Sequence, residues 1–173
     1  WSSDVCSSDL YHGEAYAKEK KTEHIIFEKE TSTTAPRTTY SFFAELIKSR
    51  LDQKKRPQSL KFLDVGCFNG KLLIDLKKHF PSAAMHGFDV SEHVGEIFPK
   101  IADFEFHAGS LGNISDKYDV VLLVNVLCYV DNLDDLAAQI NRLLNQDGQV
   151  FFVCTDAKKH PYFLTCRSEE HTS

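Results

Sequence analysis

The sequence lacks the features that would assign it to a membrane, a disulfide framework or a metal centre. A bilayer span needs about 20 consecutive apolar residues; the longest apolar run here, residues 120–130, is far shorter and is broken by Asn125. The five cysteines show no CxxC spacing and the eight histidines form no HxxxH or HExxH pair. Buried free thiols in a reducing, cytoplasmic compartment are therefore expected, and no metal. An excess of basic charge is missing too. Lys+Arg number 20 against Asp+Glu 25, a formal net charge of -5, which gives no general attraction to nucleic acid and disfavours it as a partner. With 42% hydrophobic and 26% charged residues, the composition is that of one globular domain with enough apolar material for a core.

The two ends differ from the middle. Within residues 1–10, WSSDVCSSDL, the octapeptide SDVCSSDL and the end 167–173, RSEEHTS, can be encoded by one DNA segment read in opposite orientations, which resembles sequencing adapter carried into the open frame of a metagenomic fragment. Both are set aside from fold reasoning. Removing Asp4, Asp9, Glu169, Glu170 and Arg167 leaves 19 basic against 21 acidic residues, and the credible chain, 11–166, is expected to be the interior of a longer protein. Residues 11–37 are polar, with Tyr11, Tyr16 and Ile25 to Phe27 as their apolar anchors, and read as an arm or short helix. Residues 38–166 form the expected ligand-binding domain.

Within that domain the apolar pattern alternates between two periods. Phe42, Phe43, Leu46, Ile47 and Leu51 recur at helical spacing in a helix that fades before Pro57. Residues 60–65 form a short apolar strand, and a helix with the stripe Leu72, Leu73, Leu76 and Phe80 follows, closed by Pro81. A second strand over 83–90 contains Asp89, with Ser91 as the expected N-cap of a helix over 92–98. The third strand alternates Phe104, Phe106 and Ala108. The continuous apolar run 118–124 suits a central parallel strand covered on both faces. Asp131 or Asn132 is expected to cap a helix with the stripe Leu133, Leu136, Ile140, Leu143 and Leu144, ended by Gly148 before a fifth strand over 150–154. Strands separated by helices imply βαβ units, so the expected fold is a doubly wound α/β domain: a mostly parallel sheet with helices on both faces. Its ligand crevice lies at the carboxyl ends of the strands.

The chemistry is concentrated in the loops at those ends. Residues 62–70, FLDVGCFNG, give a strand, a glycine turn and a helix, the setting in which backbone approaches a ligand closely. Gly66 and Gly70 are four apart with Phe68 between them, which is not the GxGxxG spacing of a dinucleotide site. Asp64 precedes the first glycine by two residues. A carboxylate there repels a pyrophosphate and attracts a ligand carrying an ammonium or sulfonium. Asp89 ends the second strand and can accept hydrogen bonds from vicinal hydroxyls. Taken singly, each has a structural explanation: Asp64 as a charge near a helix N-terminus, Asp89 as a turn residue, Asn125 as a strand-end cap.

LDVGCFNG resembles the first motif of the class I S-adenosylmethionine-dependent methyltransferases, commonly written hh(D/E)xGxGxG, and the resemblance covers residues 62–155. It implies a Rossmann-like methyltransferase fold with S-adenosyl-L-methionine as cofactor. Asp64 would face the amino end of the methionine moiety, and Gly66, Cys67, Phe68 and Gly70 would carry the backbone beneath the cofactor. Asp89 would hold the ribose, and Val90 would pack on the adenine. HAGSL, containing Gly109, Ser110 and Leu111, resembles the adenine-edge motif, with Ser110 where many members have Asp. Asn125 would lie beside the sulfonium. Phe68 departs from the glycine of the motif, either narrowing the pocket or pointing away. NVLCYV lacks the (D/N)PPY run of amino-methylating nucleic-acid enzymes, which leaves a small-molecule methyl acceptor as the expectation. No catalytic base is assigned; Tyr11, Tyr16 and Tyr129 read as packing residues. The family's last pair of strands is expected to be missing, since only residues 156–166 precede the adapter-like tail. Two other functions use the same sheet: a nicotinamide-dependent oxidoreductase, and a non-catalytic binding module of methyltransferase fold.

Overall fold

The computed structural model describes residues 38–52 and 59–153. The arm 11–37, the stretch containing Pro57, Cys154, Thr155, residues 156–166 and both adapter-like ends lie outside the described residues. Nine elements follow one another: α1 (Thr39–Asp52), β1 (Lys61–Val65), α2 (Lys71–His79), β2 (Ala84–Asp89), α3 (Val94–Ile97), β3 (Phe104–Ala108), β4 (Tyr118–Val124), α4 (Leu133–Leu143) and β5 (Leu144–Val153). Short 3₁₀ turns at Leu111–Asn113 and Leu127–Tyr129 complete the loops.

The five strands form one parallel sheet in the order β3-β2-β1-β4-β5, the doubly wound arrangement expected. The central strand β1 pairs with both neighbours, so that Leu63 lies between His86 of β2 and Val121 of β4. Its residues Phe62, Leu63, Asp64 and Val65 are all buried, as a strand covered on both faces requires. One face carries a core of Phe62, Met85, Val120 and Leu122 packed under α1, α2 and α3. The opposite face carries Leu63, Phe88, Tyr118, Val121 and Leu123, packed against Leu136, Ile140 and Leu143 of α4.

Local chemistry sets the element ends. The Ser41 N–H donates to Thr38 Oγ1 at 3.1 Å, and the Ser41 hydroxyl donates back to the Thr38 carbonyl at 2.9 Å, which opens α1. Asn132 opens α4, its Oδ1 accepting from the Asp135 N–H at 3.0 Å. Helix α2 starts from Gly70 in the left-handed region, φ 65°, and stops before Pro81, whose missing N–H cannot continue it.

Several boundaries and faces differ from the sequence expectation. Helix α1 buries Ala44, Ile47 and Leu51, with Tyr40 and Phe43 against the same core, while Phe42 and Leu46 are 38% and 43% exposed. The buried stripe is set by the small Ala44, which lets α1 approach α2, and it turns Phe42 and Leu46 outward. Asp75 is buried on α2 beside the leucine stripe and pairs with Lys78. Ser91 does not cap a helix over 92–98; α3 is a four-residue turn, and the Ser91 N–H bonds back to Asp89 Oδ1 at 3.1 Å. Gly148 does not end α4. The helix stops at Leu143 and β5 begins at once at Leu144, while Leu133 is exposed. Gly148 lies within β5 beside a break in its register with β4, where a Cβ would meet the Tyr118 carbonyl at 3.1 Å. Among the cysteines described, Cys67 is a buried thiol as expected, whereas Cys128 is exposed. No helix among the described residues is long and apolar enough to cross a membrane.

Leu73 of α2 is fully buried against the sheet. Leu73→Ala is expected to destabilise the chain by about 2–5 kcal/mol through lost burial and a residual cavity, read as a lower urea midpoint at unchanged slope.

Candidate functional site

Strand order reverses between β1 and β4, since β1 leads to β2 on one side and β4 to β5 on the other. The loops leaving these two strands diverge and open a crevice at the carboxyl end of the sheet. Most of the expected site residues end up around it: Asp64 at the end of β1 with the turn from Gly66 to Gly70, Asp89 and Val90 at the end of β2, Gly109 and Ser110 after β3, and Asn125 after β4.

The turn after β1 is built by backbone. The Gly66 and Cys67 N–H groups both donate to the Phe88 carbonyl, at 2.8 and 3.0 Å, tying the turn to the end of β2. Gly66 has φ 75°, and a Cβ there would lie 2.5 Å from Val126 Cγ2 in the loop after β4. Only glycine fits both restrictions: Val126 fills the space of a side chain, and the residue itself stays exposed. Phe68, φ 45°, occupies the left-handed region usually left to glycine, a conformation costing about 1 kcal/mol or more. Its half-buried ring packs against the core under α1 and α2, which offsets that strain.

Two acids dominate the electrostatics. Asp64 is buried, and its burial, with the charge of Asp89 as the second cause, raises its carboxyl from the ordinary 3.8 to about 8. Asp89 is half-buried and oriented by the Ser91 N–H. Burial and these two acids also push the Cys67 thiol up, so it stays protonated and is not a nucleophile. Val90 is 52% exposed next to Asp89, an apolar surface available to a flat ring. After β3, the Gly109 N–H donates to the Asp89 carbonyl at 3.1 Å, and nothing lies within 4 Å of where a Gly109 Cβ would be. Ser110 Oγ accepts from the Gly112 N–H at 3.2 Å, shaping the 3₁₀ turn. Leu111 is different, because its side chain is buried in the α4-side core. Asn125 has φ 56°, a conformation asparagine tolerates well, and its N–H holds Val153 of β5 at 2.8 Å.

Three contributors escaped the sequence reading. Val126 closes over Gly66. Arg142, from α4, donates to the Leu111 and Ile114 carbonyls at 2.8 and 2.7 Å and fixes the loop after β3. Gly87 lies where a Cβ would meet Phe98 Cε2 at 2.3 Å and Cys67 Sγ at 2.6 Å. Only Gly87 carried a signal, as a glycine inside an otherwise apolar strand.

Asp89, joined by Asp64 once a cation draws off its proton, suits a cationic, hydroxyl-bearing ligand beside the glycine turn and opposes a pyrophosphate. A family model described as a methyltransferase domain matches residues 37–170. The chain belongs to this methyltransferase family. It is similar to a malonyl-[acyl-carrier protein] O-methyltransferase of Halalkalibacterium halodurans, 26% identical over an alignment 117 residues long that covers 62% of this chain and 42% of that protein. Among solved structures it resembles the plantazolicin methyltransferase BpumL in complex with a desmethyl-plantazolicin analogue and SAH: TM-score 0.62, 26% identity, 73% of this chain and 52% of that one. A putative S-adenosyl-L-methionine-dependent methyltransferase from Methanococcus maripaludis shares the fold at TM-score 0.59 and 20% identity, over 75% of this chain and 68% of that one. The chain thus spans under half of the curated relative and about half of BpumL.

Two outcomes follow from this geometry. Gly66→Ala, strained by its positive φ and by Val126, is expected to lower stability by about 1–3 kcal/mol, measured by urea denaturation. The Asp64 pKa gives a second. Between 3.8 and about 8 the folded protein keeps a proton that the unfolded chain has released, so stability falls as pH rises through that window. Asp64→Asn, which cannot ionise, is expected to be the more stable protein at pH 8, with the difference shrinking towards pH 4 in thermal melts.

Proposed function

We propose that the protein to which this chain belongs is an S-adenosylmethionine-dependent methyltransferase acting on a small-molecule acceptor. The observation that carries the proposal is the pair Asp64 and Asp89 at adjacent strand ends beside the Gly66 turn, a negative crevice suited to a ligand with an ammonium, a sulfonium and a ribose diol. Bound there, the cofactor supplies a methyl carbon already electrophilic through its sulfonium. The residues of the chain bind and align: Asp64 holds the methionine ammonium, Asp89 accepts the ribose hydroxyls, and Val90 lies against the adenine. Gly109 and Ser110 border its edge, and Asn125 faces the sulfonium from the end of β4. Leu111, buried in the core, supports that loop from behind.

Methyl transfer by in-line displacement needs chiefly that the acceptor atom sit opposite the sulfur, and such alignment is worth on the order of 7–11 kcal/mol. A base is required only where the acceptor must lose a proton. The similar proteins are named for a malonyl group on an acyl-carrier protein and for plantazolicin, which supports an acceptor other than a nucleic acid. The exposed Tyr129 and Leu133, just after β4, give the crevice mouth an apolar border suited to such a molecule. Asp64 weighs against the nicotinamide reading, because it would sit beside a pyrophosphate, whereas Asp89 suits the ribose of either cofactor.

Calorimetry with S-adenosylhomocysteine, which keeps the ammonium and the ribose, tests the cofactor assignment. Affinity is expected to fall by at least about tenfold in Asp64→Ala and in Asp89→Ala, each loss corresponding to about 1.4 kcal/mol or more. Wild-type affinity is expected to rise with pH up to about 8 and then level off, because a bound ammonium favours ionised Asp64 and binding releases its proton. Unchanged affinity in both variants, or tighter binding of NADH, would sink the assignment.

A further inference from the structure

We propose that His86, Glu105 and His107 form a zinc-binding site on the face of the sheet opposite the cofactor crevice. The parallel register of β2 and β3 sets His86 beside Glu105, and Phe88 beside His107. Side chains alternate along a strand. Met85, Phe104 and Phe106 face the core under α1, α2 and α3, so His86, Glu105 and His107 project from the other side, away from the face that carries Asp64. This reverses the expectation of no metal. The ligands are paired not by helical spacing within one motif but by strand period two within EFH and by cross-strand register to His86.

The distances suit an ion. His86 Nδ1 lies 3.0 Å from His107 Nε2. Glu105 Oε1 lies 3.5 Å from His107 Nε2, and its Oε2 lies 3.6 Å from His86 Nε2. With one donor atom taken from each residue, all three fall within 4.8 Å of one another. A tetrahedral zinc with bonds of about 2.0–2.1 Å holds neighbouring donors roughly 3.3 Å apart. The Glu105 side chain is 57% exposed and has the freedom to close the remaining gap. Two imidazoles and one carboxylate are a donor set zinc accepts, whereas magnesium and calcium prefer all-oxygen cages.

The surroundings support the assignment. His86 is buried, and the Lys61 charge bears on its ring. The Lys61 charge is itself offset by Asp116, 2.8 Å away. The Tyr118 hydroxyl lies 3.2 Å from His86 Nδ1 and 3.4 Å from His107 Nε2. With His86 binding through Nε2, the nitrogen nearest Glu105 Oε2, the Tyr118 hydroxyl holds its Nδ1, as outer partners of zinc ligands do. A filled site would clip β3 to β2 where the connection onward to β4 offers only a 3₁₀ turn as cover. Its role is structural and does not rest on the methyltransferase reading.

The test uses the full chain, stripped with a chelator, dialysed, and titrated with Zn²⁺ by calorimetry and with Co²⁺ by visible absorption. The expected result is one ion per chain, the intense bands of four-coordinate Co²⁺, and a higher Tm with Zn²⁺. Glu105→Gln and His107→Gln, at partly exposed positions that tolerate replacement, are each expected to weaken Zn²⁺ binding by at least about tenfold and to abolish the Tm gain at unchanged circular dichroism. His93→Gln, at an exposed histidine outside the cluster, is expected to bind normally. Absence of saturable binding by the wild-type chain overturns the proposal, as does undiminished binding by either folded cluster variant.

Discussion

A carboxylate buried at the end of a central strand, within the field of a second acid, is the constraint on which the rest of the crevice depends. Burial makes the ionised form of Asp64 costly, and Asp89 makes it costlier. A merely structural role would be better served by a neutral or apolar residue of similar size. What the arrangement gains is selectivity: a ligand that brings positive charge and hydroxyl donors relieves the repulsion, whereas an anionic one adds to it. The glycine turn then serves the acids. By hanging Gly66 and Cys67 from a single carbonyl of β2, it ties the end of β1 to the end of β2.

Much of this was legible from residue order. Alternation of strand and helix periods gave the parallel sheet, because each βαβ unit needs a continuous apolar strand and a one-sided helix, and both kinds of segment were present in 60–144. Asp64, Gly66, Gly70 and Asp89 could be placed because strand ends in such a sheet share one edge. Faces and endings were harder. The inward face of α1 is chosen by Ala44, a residue with little hydrophobic weight, so Phe42 and Leu46 misled. Gly148 reads as a helix stop, but it sits inside β5, where a Cβ would crowd Leu144 Cδ2 at 2.8 Å and the carbonyls of Asn145 and Tyr118 at 3.0 and 3.1 Å.

Contacts between distant segments left no local trace. Arg142 reaches back from α4 to two carbonyls of the loop after β3, thirty residues upstream, and reads in sequence as an ordinary exposed helix charge. Val126 is one more apolar residue until it is seen packed over Gly66. The histidine cluster belongs to the same category. His86 and His107 are 21 residues apart, and only the parallel ladder makes them neighbours. Phe68 shows a different limit: its left-handed backbone is tolerated because the ring finds a core to enter, which depends on where α1 comes to rest.

The second strand divides its labour by parity. Odd-numbered positions up to Asp89 serve the crevice side, while His86 and Phe88 serve the other, so sliding β2 along its neighbours by one residue would exchange the two sets wholesale. Gly87 guards against that error. The space above it is already taken by the Phe98 ring and the Cys67 sulfur, and a slipped strand would have to force an imidazole or a benzyl group into a gap too small for a methyl. A residue with no side chain therefore acts as a proofreading device for strand alignment, vetoing the misaligned ladder before either face can assemble.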